Sequence, residues 1–456
     1  MDAIVRLAEH AVGTRYDDLS APAIAAAKMF ILDSFGVAVV GSAAPCVTEL
    51  IAAQARWGQG DDARIWVHGT RLPAPAAALV NGFQIHNSEF DCVHEAAVVH
   101  PMAVLLAATM AYAERGGGIS GRDFLTAIAL GVDIGVGLGL ASKAPMRFFR
   151  PATAGAFAAT AAIGRLVGFD AVTLVDAFAI THAQLCGTMQ AHAEGSPLLA
   201  MQIGFNARNA VIACDLAAAG ITGPQNVLEG PFGYFPLFEG ACDLGPILDG
   251  LGKVWRITEV AHKPWPCGRA THGMIDGVLQ LKRQHAFTAA DVAGVECLAP
   301  PLTHRLVGRP AQGGMRVSYA RLCSPYAIGC ALLHDTVDIA DFRPETLADP
   351  ARLGLAARVA LRIDDNPDPN ALAPVRVAIT LETGTTHEIR IEQVYGSPAR
   401  PMSREEHLAK FRRNWTSGAR PLADAACEAL AARVDVLEAL PDVTELVDLL
   451  VASRRR

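Results

Sequence analysis

The sequence predicts a mainly α protein: a large all-helical bundle formed by both ends of the chain, plus a smaller α+β part with an antiparallel sheet. Three observations predict it. Ala-rich apolar stretches recur over residues 24–40, 75–84, 101–114, 123–141, 154–167, 170–186 and 205–219. Each has the length of a helix, and breaks such as Gly116-Gly117-Gly118 and Gly223-Pro224 separate them. Past Pro264-Trp265-Pro266 the apolar residues alternate with period two, and from Ser403 the helical period returns. These shifts divide the chain into 1–264 with 399–456, all helical, and 265–398, α+β.

In chain order, Ser20-Ala21-Pro22 sets a cap residue two positions before a proline and opens a helix with few polar residues. The stretch Leu125 to Ala141 is nearly long enough to span a bilayer. It contains Asp133 and the glycines 131, 135, 137 and 139, so it reads as a buried helix with a small-residue packing face. After a helix over Ala270 to Gln284, Val292 to Leu298 reads as a strand. A helix over Tyr326 to Asp335 follows, then a strand over Val359 to Ile363. Val375 to Leu381 and Ile389 to Ile391 form a hairpin about Thr383-Gly384. Ser403 with Glu406 has capping-box spacing, and Leu422 to Val434 and Val443 to Val451 are amphipathic. This tail is expected to fold back onto the helical part.

The composition excludes several classes. Of 456 residues, 51% are apolar and 19% charged, the reverse of a disordered chain. A net charge of −7 and a pI near 6.1 are not the footprint of a nucleic-acid binder. The Arg454-Arg455-Arg456 cluster reads as a solvated tail. None of the ten cysteines forms a Cys-x-x-Cys pair, which fits reduced thiols in a cytoplasmic protein. The first residues lack a basic segment leading into an apolar core, so no secretory signal is expected.

Two segments concentrate chemistry. His86-Asn-Ser-Glu89-Phe-Asp91-Cys-Val-His94-Glu95 runs on to His100-Pro101 between apolar helices. Its spacing is not His-Glu-x-x-His, so proton transfer is preferred to metal ligation, against the plainer reading of a capped surface loop. His262-Lys263-Pro-Trp-Pro-Cys-Gly-Arg269-Ala-Thr-His272 lies at the change of pattern, where clefts form. There His272 opens a helix whose N-terminus attracts carboxylates. The plain alternative is a linker with scattered charge. Arg150, before Pro151, is a candidate carboxylate ligand; Tyr326 reads as a core tyrosine more readily than as a catalyst. Phosphate loops and nucleophile elbows are absent.

These landmarks together resemble the MmgE/PrpD family. They are Leu32-Asp33-Ser34-Phe35-Gly36, Asn81-Gly82 through His100-Pro101, Pro151-Ala-Thr-Ala-Gly155-Ala-Phe157, Lys263-Pro-Trp-Pro-Cys267, Ser324-Pro325-Tyr326, and Gly396 through Pro401 to Lys410-Phe411. The resemblance covers nearly the whole chain. It implies a two-domain homodimer that needs neither metal nor cofactor, with the site between the domains. The positions that match the family's site are Asp91, His100, Lys263, His272 and Tyr326, with Glu89 where an aspartate is common. Departures are Leu199 and Gln202, in place of the lysine and histidine of Lys-x-Leu-His-x-Gly, and Arg150 in place of a histidine.

The expected chemistry is cofactor-independent removal of a proton α to a carboxylate of a small di- or tricarboxylate, as in a dehydrating lyase. His100 backed by Asp91 is one acid–base group and Lys263 or Tyr326 the other, while Arg150, Arg269 and His272 hold carboxylates. Glu89, His94 and Gln202 complete the substrate contacts. The alternatives are an epimerase of an aminodicarboxylate such as iminodisuccinate, and a non-catalytic dicarboxylate binder. No nucleic-acid or membrane partner is expected.

Overall fold

A computed structural model describes residues 2–451; the Arg454-Arg455-Arg456 tail lies outside the described residues. The long helices are Ala21–Gly41, Ala74–His86, Pro101–Gly116, Gly121–Ala141, Arg150–Leu166, Ala171–Ala183 and Leu198–Ala218. Ser20 caps the first, its side chain accepting from the Ala23 N–H. Several are apolar on nearly every face because neighbours cover every face. Gly121–Ala141 and Ala21–Gly41 are long and apolar enough to cross a membrane, yet 94% and 78% of their apolar windows are buried inside the protein.

The packing face expected for Gly121–Ala141 is present. Gly131, Gly135 and Gly139 lie four residues apart on one side, where added Cβ atoms would meet Leu105, Ala158 and Ala97 at 2.7, 3.0 and 2.8 Å. Gly204 lets Leu198–Ala218 press on Ala74–His86, since a Cβ there would come 2.3 Å from the Leu79 carbonyl oxygen. These contacts bring the ends of several helices to one place, described below.

A two-stranded ribbon, β1 (Ala63–Arg64) and β2 (Arg71–Leu72), carries no sequence signal strong enough to predict it. The larger sheet contains β3 (Val292–Ala299), β4 (Val359–Ile363), β5 (Val375–Leu381) and β6 (Thr386–Ile391), in the order β4-β3-β5-β6. The expected hairpin is β5 with β6, in antiparallel register from Val375↔Ile391 to Thr380↔Thr386. The expectation of an antiparallel sheet needs correction: β3 and β4 pair in parallel, so the sheet is mixed. The reason is the long crossover through Pro301–Val307, Ser324–His334 and Pro350–Ala356, which returns the chain to the edge in its original direction. Period-two alternation reads alike in either direction. Helix Arg269–His285 covers the sheet, with Gly273 and Gly277 set against Val375 and Val377.

The tail folds back as expected. Ser403 and Glu406 form the capping box of Arg404–Trp415, and Phe411 packs on Gly36. The Lys410 Nζ pairs with Asp33 at 2.7 Å and donates to the Phe90 carbonyl at 3.0 Å. The stretch Leu422 to Val434 yields helix Asp424–Asp435, whereas Val443 to Val451 is helical over Glu445–Leu449 and ends with Val451 bridging to Val67. All ten cysteines are free thiols.

Candidate active site

Four helices begin at one narrow pocket of about 60 Å³. His100 is the N-cap of Pro101–Gly116, Phe149 of Arg150–Leu166 and Gly268 of Arg269–His285, and Leu199 stands in the first turn of Leu198–Ala218. His100, Phe149, Gly268 and Leu199 all line the pocket. In none of the four does the N-cap residue's own side chain take a helix N–H, though Ser196 Oγ accepts from the Leu198 N–H at 3.3 Å. Their N–H groups and the positive ends of their dipoles therefore favour an anion there. Most of the remaining wall is apolar: Val93, Val98, Met146, Met189, Leu306 and Leu322. In such surroundings the field of those helix ends is weakly screened.

A cluster of ionisable groups adjoins this pocket through Glu89 and His100. Asp91, fully buried, accepts through a single oxygen, Oδ2, from His86 Nδ1 at 3.0 Å and His100 Nδ1 at 3.1 Å. With Nδ1 of His100 committed to donate, its Nε2 carries the lone pair. The two rings are edge to face, with centroids 4.8 Å apart. Burial, opposed by Asp91 and reinforced by Lys263, lowers the His100 pKa below the ordinary histidine value. For His86 burial pulls down, but Asp91 and Glu89 outweigh it and the pKa is raised. His100 is thus the more readily deprotonated ring and His86 the one that holds charge.

Lys263 is fully buried; its Nζ donates to Glu89 Oε2 at 2.9 Å and lies 3.8 Å from Asp91 Oδ1. Burial opposes ionisation of Glu89, but Lys263, His86 and His100 overcome it and bring its pKa to about 2. Asp91 is likewise held well below the carboxylate range, burial being overcome by His100 and His86. Glu89 and Val98 both line the pocket with positive φ, +50° and +51°, a conformation costly for side-chain-bearing residues. Glu89 is the partition: with Leu199 and Leu322 it borders both the narrow pocket and a second cavity of about 920 Å³.

Arg269 and His272 are at the site, in fixed states. Arg269 lines the narrow pocket while its guanidinium binds Glu95 at 2.9 Å and the carbonyls of His262 and Tyr395 at 3.1 and 2.8 Å. His272 is buried, and burial with the charges of Arg269 and Lys263 keeps it neutral. Its Nε2 faces the Cys267 carbonyl at 3.2 Å and its Nδ1 faces Arg269 Nη1 at 3.4 Å, so it sits behind Arg269 rather than on the pocket wall.

Four expected residues lie elsewhere. Arg150 is completely buried: Nη2 meets Glu239 Oε2 at 2.8 Å and Ser142 Oγ at 3.0 Å, and Nη1 meets the Ala97 carbonyl at 2.9 Å. Its charge is spent on Glu239 and it lines neither of these two cavities. The Tyr326 hydroxyl faces the carbonyls of Asp341 and Thr346 at 2.7 and 3.1 Å, and Tyr326 lines neither cavity. Gln202 grips the backbone of Thr188, accepting at 2.6 Å and donating at 3.2 Å. His94 spans Glu259 and the Ala97 N–H at 3.2 and 3.1 Å, which shapes the loop below His100.

Three residues outside the expected set matter. His86 shares Asp91 with His100. His192 lines the narrow pocket; burial and Arg309 lower its pKa to about 4. Arg309 Nη2 points at His192 Nδ1 from 3.3 Å, so the ring is neutral with Nε2–H as donor. Arg321 lines the large cavity. Nothing in the neighbourhood of His192 or Arg321 in the sequence marks either one.

Among the described residues two groups have ligand atoms close enough to hold a metal ion: His86, Asp91 and His100, and Asp33, His262 and His407. In each a lysine ammonium stands beside the aspartate, Lys263 at 3.8 Å and Lys410 at 2.7 Å. A divalent ion at either would meet that ammonium at close range.

Asp91 with its two histidines, a second pocket histidine at 192 and four helix N-termini thus gather around one pocket. Residues 5–245 match the MmgE/PrpD N-terminal domain and residues 265–436 the MmgE/PrpD C-terminal domain, so the chain belongs to the MmgE/PrpD family. Cis-aconitate decarboxylase of Mus musculus is 28% identical over 458 residues, covering 96% of this chain and 91% of that protein. The human one is 28% identical over 467 residues, 96% and 92% of the two chains. One from Aspergillus terreus is 26% identical over 459 residues, 95% and 93%.

Proposed function

We propose that the protein is a lyase that moves a proton at the carbon α to a carboxylate of a small di- or tricarboxylate, eliminating water. The observation that carries this reading is that two histidines line one pocket with opposite Nδ1 partners: Asp91 beside His100, which leaves Nε2 a lone pair, and Arg309 beside His192, which leaves Nε2 an N–H. In the proposed step His100 Nε2 takes the α proton. The electron pair moves into the carboxylate as enediolate charge, under the helix N-termini and the His192 N–H. The enediolate then expels hydroxide from the neighbouring carbon, and the imidazolium of His100 delivers its proton to it. The products are an alkene and water, and His100 returns to its neutral form. Side-chain protons suffice, without a cofactor in the step.

Family membership supports a lyase, since the relatives named above are called decarboxylases of cis-aconitate. Decarboxylation also ends in protonation of a carbon next to carboxylate. This pocket differs in charge: Leu199 stands where the family often has a lysine, and Arg150 is spent on Glu239. The epimerase reading draws on Glu89 and His100 lining the same pocket, one group for each face. A carboxyl held at about 2 carries a proton poorly near neutral pH, so elimination is preferred. A mere binder would have no use for the buried His86–Asp91–His100 array, which is costly to desolvate.

The test is proton NMR in deuterium oxide with citrate, 2-methylcitrate, cis-aconitate and iminodisuccinate. A new alkene signal from a hydroxy acid supports the proposal. Deuterium at the α carbon without net product makes the protein an epimerase. No exchange with any acid, alongside thermal stabilisation by one of them, makes it a binder.

A further inference from the structure

We propose that the cavity on the solvent side of Glu89 is an anion subsite, in which Arg321 takes a distal carboxylate or other oxyanion of the substrate. The proposal deepens the functional reading above and rests on it in placing the reacting end of that substrate at His100.

Arg321 is only 7% exposed. A buried guanidinium is costly unless an acid neutralises it. The other buried arginines of this protein obey that rule: Arg150 has Glu239 and Arg269 has Glu95. Among the described residues Arg321 pairs with no carboxylate. Its Nη1 donates to the carbonyls of Ser88 and Pro266, its Nε has no partner, and its Nη2 makes no protein hydrogen bond. The guanidinium carbon lies 5.1 Å from the centroid of the Phe342 ring, which holds the plane in place. A fixed fork of donors without an acceptor is thus left at the cavity wall.

The rest of that wall has the same sign. Arg316 and Arg343 also line it, are exposed, and form no ion pair among the described residues. Its one carboxylate is Glu89, already committed to Lys263. Size points the same way. The narrow pocket, about 60 Å³, holds only a few waters' worth of free space, while the cavity beyond Glu89 has about 920 Å³. A polycarboxylate with its reacting carbon at His100 must extend past Glu89. Leu199 brings no charge to the narrow pocket and Arg150 spends its own on Glu239, whereas Arg321 offers a cation farther out. Arg321 also holds the Ser88 carbonyl, next to Glu89, so an anion bound there acts directly on the partition.

Two measurements test this: anomalous diffraction from crystals soaked in bromide, and thermal-shift titration with tricarballylate and with inorganic phosphate, on the wild type, Arg321→Gln and Arg321→Lys. The proposal expects a bromide peak in contact with Arg321 that is lost in Arg321→Gln. It also expects tricarballylate affinity to fall by about tenfold or more in that variant, as for loss of a bidentate partner. Stronger stabilisation by tricarballylate assigns the subsite to carboxylate, and stronger stabilisation by phosphate assigns it to a phosphate group. No bromide at Arg321 in the wild type, or an undiminished affinity in Arg321→Gln, overturns it. If Arg321→Gln does not fold, Arg321→Lys decides, because it keeps the charge and loses the fork: a fall beyond about threefold supports the proposal and a smaller one overturns it. His100→Ala should keep the bromide peak at Arg321 while losing activity, so failure of the acid–base reading is seen separately.

Discussion

Asp91 Oδ2 accepts hydrogen bonds from His86 Nδ1 and His100 Nδ1 at once, at 3.0 and 3.1 Å. One oxygen therefore sets the tautomer of both rings, and only His100 lines the narrow pocket. Asp91→Asn offers a neutral amide that cannot hold a developing imidazolium. Activity should fall by about 10²–10⁴-fold with the fold retained by circular dichroism. A variant within a few fold of the wild type would refute the pairing as the basis of catalysis.

The pH profile follows from the same geometry. His100 must be neutral to accept a proton, and its pKa lies below the ordinary value of 6.5. Activity, as kcat/KM, should rise with pH through a value under 6.5 and be flat at neutral pH. Lys263→Met removes a charge that lowers both His100 and Glu89. The acid limb should then move to higher pH, and the plateau should drop. An unmoved limb would separate Lys263 from the site's electrostatics.

Arg150 and Tyr326 should act on stability alone. Arg150→Met leaves Glu239 buried without its cation and should destabilise by about 3–5 kcal/mol, read as a large fall in Tm. Tyr326→Phe leaves two carbonyls short of a donor and should cost about 1 kcal/mol with kcat unchanged. A raised KM in Arg150→Met with Tm preserved would return that residue to the substrate.

Acid should weaken the fold before it protonates most carboxylates. Burial lowers His262 to about 3, and His192 and His407 to about 4, all from 6.5. Below pH 6.5 the unfolded chain binds protons that the folded one refuses. Stability therefore falls as pH drops from 6.5 toward 4, and Glu89, lowered to about 2, extends the loss below pH 4.5. Tm measured from pH 8 to pH 4 should bend downward near pH 6.5; a level curve would contradict the buried neutral histidines.

Elements whose signals are local are legible in the sequence. The Ser20 and Ser403 caps, the β5–β6 hairpin and the glycine face of Gly121–Ala141 each depend on residues a few positions apart. The parallel entry of β4 is not legible, because alternation carries no direction and the crossover decides it. The Asp91–His100 and Lys263 segments read as chemistry, and they meet at one site through the Lys263–Glu89 pair. Arg150 misleads because its partner, Glu239, lies 89 positions away. A free and a neutralised arginine look identical in a sequence; Arg321 escapes notice for the same reason.

The central claim is that His100 moves the α proton. It is tested most directly by solvent exchange: substrate incubated in deuterium oxide with the wild type and with His100→Ala, followed by proton NMR of the α position and the product. The account predicts deuterium at the reacting carbon and an alkene product with the wild type, and both rates down by at least about 10²-fold in the folded variant. Exchange at the wild-type rate in His100→Ala would contradict it.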